Sequence, residues 1–204
     1  MKKGLLVLLV FTVVAGSAFA DFDFWSFPPP VQAGSIMVDA GLGLRALVGD
    51  LEGHEMSFPP LFAQIDYALT VGFPISVGGG ITVGRWEYEI DIGWGYRYGW
   101  TLTYIPPHIR ANWHWGFDVP WLDLYTGLSL GFDIASMRIN ENIGGGFDGR
   151  GAGGSRIFFG IQAGAHFYFT ENVGAMVETG YPFWLKAGVA LKFGGGSSST
   201  QRRR

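Results

Sequence analysis

Apolar and polar residues alternate with a period of two through most of this chain, the spacing of side chains along a strand. From Gly34 to Phe193 the alternation recurs in successive runs. The first sets Ile36, Val38, Ala40, Leu42 and Leu44 against Met37, Asp39, Gly41, Gly43, Arg45 and Leu47. The second sets Leu61, Ala63, Ile65 and Tyr67 against Phe62, Gln64, Asp66 and Ala68. Further runs begin near Ile75, Leu122, Ile157, Val173 and Phe183. Between them, Trp100, Leu102 and Tyr104 take one phase, and Ile109, Ala111, Trp113 and Trp115 take the other. Pro106-Pro107 separates the two phases, and proline gives no N–H to a ladder, so a bulge or the membrane rim is expected there. A similar slip is expected after Gly84, where Trp86, Tyr88, Ile90 and Ile92 take over. The pattern predicts eight antiparallel strands, with ten as the alternative, and a pair of long strands joined near Gly93-Trp94-Gly95.

One face of these runs is aliphatic or aromatic and almost free of charge. The opposite face gathers Asp39, Arg45, Asp66, His108, Arg110, Asp123, Asp133, His166, Glu178, Lys186 and Lys192, with most of the strand glycines. A soluble carrier barrel has the reverse arrangement. An eight-stranded barrel has an interior just wide enough for side chains, so small residues collect inside it. A charge on a lipid-facing position at mid-membrane costs roughly 2–4 kcal/mol. In hydrocarbon a sheet satisfies all of its backbone groups by closing on itself. The expected fold is therefore all-β, an eight-stranded antiparallel up-and-down transmembrane β-barrel over residues 34–193. Connections alternate long (Gly49 to Pro60, Arg85 to Tyr98, Met137 to Arg156) and short (Pro74, Gly116 to Pro120, Thr170 to Asn172). That is the asymmetry of outside loops and periplasmic turns.

Composition agrees. Hydrophobic residues make up 48% of the 204 and charged residues 15%, against roughly 25% charged in soluble domains. A net charge of -3 offers no basic field, so nucleic acid is not an expected partner. The absence of cysteine removes disulfides, thiolate metal sites, thiol catalysis and a lipoprotein anchor. Met1-Lys2-Lys3, the apolar stretch Leu5 to Val14 and Ala18-Phe19-Ala20 have the form of a secretory signal peptide. Such a stretch is shorter than the ~20 residues of a membrane-spanning helix. The expected division is a signal peptide over 1–20, a periplasmic lead-in over 21–33, the barrel over 34–193 and a flexible periplasmic tail over 194–204.

Gly160-x-Gln162-x-Gly164, Phe167-Tyr168-Phe169, Thr170-Glu171-Asn172 and Glu178-Thr179-Gly180-Tyr181 lead into a last run from Lys186 to Phe193. In these residues the chain resembles the small outer-membrane β-barrel proteins of the OmpA, OmpX and OmpW type. Lys186, Gly188, Leu191 and Phe193 match that family's assembly signal, although here Gly194 to Arg204 follow it. The resemblance implies location in a bacterial outer membrane, with the lipid bilayer and the barrel-assembly machinery as partners. It implies no particular activity.

Function is expected from the lumen or from the loops. Glu178 and Lys186 lie symmetrically about Pro182 and are expected to form a cross-strand ion pair. Inward charges either plug the barrel or line a narrow path for a small solute. Leu47, Phe62, Phe158, Met176 and Trp184 are inward apolar residues assigned to the outer end, a candidate pocket for a hydrophobic molecule in the OmpW manner. The glycine-rich stretch Ile143 to Ser155 suits a surface loop that meets a host ligand in adhesion; it lacks the Gly-Lys-Ser/Thr of a phosphate cradle. His54, His108, His114 and His166 show no metal-ligand spacing. Neither catalysis nor a cofactor is expected.

Overall fold

The computed structural model describes residues 25–27, 30–46, 55–93, 96–117, 119–141, 153–181 and 183–195. The strands are β1 (Ser35–Ala46), β2 (Glu55–Ala68), β3 (Ile75–Gly93), β4 (Tyr96–Ile105), β5 (His108–Trp115), β6 (Leu122–Glu141), β7 (Gly153–Tyr168), β8 (Val173–Gly180) and β9 (Phe183–Gly194). All neighbours pair antiparallel, β1 pairs with β9, and β2 pairs with β3, so the sheet closes. β4 and β5 occupy one place between β3 and β6, which makes a ring of eight positions from nine strands. The expected signal peptide, Leu47, most of the Ile143 to Ser155 stretch and the end of the tail lie outside the described residues.

The pleat sorts the side chains. Along β2, Leu61, Ala63, Ile65 and Tyr67 are exposed, while Phe62, Gln64, Asp66 and Ala68 are buried. The same alternation puts Leu128, Leu130, Phe132, Phe159, Ile161 and Val189 on the outside, Ile161 at 67% exposure. Asp39, Asp66, Arg110, Asp123, Glu178 and Lys186 are buried within. This polarity is that of a transmembrane barrel.

At both expected phase slips the register excludes the bulge and leaves the other alternative, a change of surroundings at the rim. Ile105 pairs with Ile134 and His108 with Gly131, so Pro106-Pro107 interrupts the strand without shifting its register. Gly84 to Asp91 likewise pair in unbroken register with Tyr104 to Arg97. What changes is the environment. Below this level the outer face carries Val77, Ile81 and Val83 toward lipid; above it the same face carries Arg85, Glu87 and Glu89. The lumen-side face changes oppositely, from Ser76 and Thr82 to Trp86, Tyr88 and Ile90. A period-two pattern whose polarity inverts looks the same in sequence as one that loses a residue.

Two other details differ. The first long connection is shorter than Gly49 to Pro60, because β2 already begins at Glu55. Its register shifts between Met56 and Phe58 and again between Phe58 and Leu61, around prolines that cannot donate to the ladder. The lead-in does more than lie beside the barrel. Val31 is completely buried against Met37 and Ala68, with Phe27 packed on the cluster. Trp25 meets the rings of Phe73 and Trp113 at 5.4 and 6.1 Å. The residues before β1 thus cover the short-turn mouth.

Candidate functional site

The lumen is crossed at mid-height by a charged cluster built from most sides of the ring. Arg110 projects from β5 at 4% exposure. It ion-pairs with Glu178 of β8 at 2.8 Å and with Asp66 of β2 at 3.4 Å, and it donates to Gln64 Oε1 at 2.6 Å. Lys186 of β9 ion-pairs with Glu178 and donates to Gln64 Oε1 at 3.4 Å. Tyr125 of β6 donates to Glu178 at 2.8 Å, and its ring lies 5.6 Å below the Arg110 guanidinium. Glu178 and Lys186 are directly opposed in the β8–β9 register, the pair expected from the tight hairpin. Gly164 makes room for this arrangement, since a Cβ there would strike the Tyr125 ring.

A second layer lies toward the short turns. His166 Nδ1 faces Asp123 at 2.8 Å and its Nε2 faces Asp39 at 3.2 Å. With a carboxylate at each ring nitrogen, the imidazole is placed to donate twice, as an imidazolium does. His114 Nδ1 faces the other Asp123 oxygen at 2.8 Å, and its Nε2 lies 2.9 Å from Ser76 Oγ. Gln64 donates to Asp39 at 3.0 Å and joins the two layers. Ser76, His114 and Asp123 have the order and distances of an acyl-transfer triad. Ser76 is completely buried, however, and the Phe27 ring sits 5.7 Å from that of His114. Asp123 is also divided between two imidazoles. The trio is a strut between β3, β5 and β6.

Asp66 and Glu178 meet Arg110, and Glu178 also meets Lys186. Asp39 and Asp123 meet histidines rather than the lysines and arginines. Asp133 stands apart near the outer end, where Tyr104 and Tyr181 donate to it and Arg156 pairs with it at 2.9 Å. Lys192 donates to the Pro30 carbonyl at 2.7 Å. His108 leaves the network: its Nδ1 lies 3.2 Å from the Pro106 carbonyl, and its ring packs by Phe158. The side chains of Arg45 and Trp184 lie outside the described residues. His114, Gln64, Tyr125 and Ser76 were missed as network members, although their inward parity was legible.

Of the five apolar candidates, Phe62, Met176 and Phe158 have described side chains, and these are divided between two places. Phe62 and Met176 pack with Ala190, and the Lys186 ammonium lies 5.5 Å from the Phe62 ring. Met176 pairs with His166, which puts it in the short-turn half rather than at the outer end. Phe158 instead packs on Tyr181 at 4.8 Å.

No family model matches the chain, and no curated protein matches it. Among solved structures, the N-terminal β-barrel domain of Pseudomonas aeruginosa OprF is similar at 19% identity and TM-score 0.44, over 80% of this chain and 100% of that one. Ail, the attachment invasion locus protein of Yersinia pestis, is similar at 13% identity and TM-score 0.45, over 79% and 99%. That structure holds the heparin analogue sucrose octasulfate. A de novo designed transmembrane β-barrel is similar at 19% identity and TM-score 0.39, over 80% and 98%. The inside-out polarity of the ring itself makes this chain a transmembrane barrel.

Above the level of Pro106-Pro107, β2 stays beside β3 as far as Glu87 and β7 beside β6 as far as Ser136; beyond those residues β3, β4 and β6 continue as a three-stranded flap among the described residues. Tyr88 stacks on Trp100 at 6.1 Å, and Trp86 meets Tyr104 edge-on at 6.3 Å. Leu102, Met137 and Ile139 continue this aromatic face by register, while Arg85, Glu87 and Arg138 occupy the other.

Proposed function

We propose that this chain is a closed barrel of a bacterial outer membrane, with its short turns in the periplasm and its flap outside the cell as a surface for contact with a host or ligand. The observation that carries the closed reading is Arg110, buried at the centre and bound by groups from β2, β6 and β8. Opening a path there strips a guanidinium of its counter-ions in a low-dielectric interior, which costs several kcal/mol. The covered short-turn mouth supports the same reading. Lys186, Gly188, Leu191 and Phe193 serve as the assembly signal for the barrel-assembly machinery.

Single-channel recording in planar bilayers tests this. The wild type stays silent, and Glu178→Gln, which loosens both cations, produces openings. Discrete wild-type openings overturn the closed reading and favour passage of small solutes.

A second reading, lateral escape of a hydrophobic molecule into the membrane, has one observation in its favour. The β7–β8 ladder ends at Gln162 and Gly180, so β7 beyond Gln162 has no strand beside it on that side among the described residues. A fluorescent fatty acid that partitions into barrel-bearing vesicles without being quenched by the flap tryptophans opposes it.

A further inference from the structure

The lumen network accounts for the buried carboxylates, Arg110 and Lys186, but it leaves Lys192 aside. Lys192 lies near the end of β9, at the short-turn mouth. Its side chain is held over the Tyr168 ring at 5.0 Å and donates to the Pro30 carbonyl at 2.7 Å. Among the described residues no carboxylate lies within ion-pair distance of it. An ammonium has three N–H donors, so Lys192 keeps donors to spare, whereas Arg110 and Lys186 are ion-paired.

Beside it is a recess of about 670 Å³, bounded by the residues before β1 on one side and the short connections on the other. Gln32, Trp121, Tyr168, Phe169, Glu171 and Lys192 line it. The wall is preformed: Lys192 N donates to Asn172 O at 2.8 Å, and Asn172 Nδ2 returns a bond to Lys192 O at 2.8 Å. Thr170 Oγ1 accepts from Asn172 N and Val173 N, which sets the turn that bears Glu171. Trp121 and Phe169 stand at 50% and 75% exposure on the rim. Exposed aromatics at this height mark the boundary between hydrocarbon and headgroups. The Tyr168 hydroxyl is buried without a partner among the described residues.

We propose that this recess binds the headgroup of a zwitterionic phospholipid from the leaflet on the short-turn side. The phosphodiester meets the Lys192 ammonium, which acts as a point-charge phosphate binder. The headgroup's own ammonium meets Glu171, and the acyl chains descend past Trp121 and Phe169. A cation and a carboxylate on one wall, unpaired with each other, complement a ligand that carries both charges. An aromatic rim on the lipid side distinguishes this from a site for a free anion.

The inference rests on the transmembrane reading, and the experiment separates the two. The full chain is reconstituted in vesicles, checked by flotation, then transferred to detergent. Native mass spectrometry follows with phosphatidylethanolamine, phosphatidylglycerol or inorganic phosphate added. Phosphatidylethanolamine is retained best. Losing a charge-assisted contact weakens binding about tenfold or more, so Lys192→Gln lowers retention of both lipids by that order. Glu171→Gln, in an exposed turn, lowers retention of phosphatidylethanolamine alone. Lys192→Arg keeps the charge and preserves binding, which controls for misfolding at the end of β9. Equal retention of the two lipids that ignores Glu171→Gln overturns the zwitterion assignment. Saturation by inorganic phosphate to the exclusion of lipid overturns the lipid assignment. A chain that folds but never floats with vesicles overturns the membrane reading itself.

Discussion

Strand β6 passes through two regions that share one geometry and have opposite chemistry. In its lower part Leu128, Leu130 and Phe132 face outward, while Asp123, Tyr125 and Ser129 face the lumen. In its upper part the outward positions are Ser136 and Arg138, and the lumen-side positions are Ala135, Met137 and Ile139. Neither the hydrogen-bond ladder nor the parity changes between them. The difference lies in the solvent on each side. Below, the outer face is apolar and the lumen face carries the buried polar network; above, the outer face is polar and the lumen-side face apolar. Polarity of a face therefore reports what that face touches, and it tells which way the pleat turns only within a stretch where the surroundings stay the same.

The largest expected effect comes from the half with the buried network. Arg110→Leu leaves Glu178 and Asp66 buried with Lys186 alone to balance them. Breaking such a buried pair from one side costs about 3–5 kcal/mol, read as a lower urea midpoint for unfolding from vesicles. A loss below about 1 kcal/mol, typical of an exposed pair, shows that water reaches the cluster and contradicts the closed lumen. Next comes the outer face of β6. Leu130→Arg destabilises by about 2–4 kcal/mol at mid-membrane, whereas Ser136→Arg, six residues on and on the same face, costs no more than about 1 kcal/mol. Equal costs erase the boundary placed between these residues.

Within the flap, Trp100→Ala removes the stack on Tyr88, worth about 0.5–1.5 kcal/mol beyond the area it buries. Protease cleavage of the β3–β4 region rises while the barrel's urea midpoint holds nearly constant. If the midpoint collapses, flap and barrel are one cooperative unit. The smallest effect is expected at the outer ion pair of Arg85 and Glu87, 2.7 Å apart with both side chains half exposed. Glu87→Gln changes stability by less than about 1 kcal/mol, and salt screens what there is.

Much of this was legible in the residues. The count of ring positions followed from the period-two runs, and the ion pair of Glu178 with Lys186 followed from their symmetry about a tight turn. The inward placement of Asp39, Asp66, Arg110 and Asp123 followed from parity. Their partners did not. Asp123 touches His114 on β5 and His166 on β7, and Asp39 on β1 reaches His166 across the lumen. Such contacts depend on strand tilt and stagger, which alternation along one strand does not encode. The cap formed by Val31 was equally hidden, because a short proline-rich segment has no period from which its destination can be read.

By itself the sequence determined the strands, the face each residue takes and the medium the outer surface meets, because a pleat assigns sides locally and lipid excludes charge. Tertiary structure alone decided which inward groups bond across the lumen, that the two apparent phase slips are inversions of polarity, and that residues before β1 pack over one end. These depend on distances between residues far apart in the chain, and ring closure sets those distances.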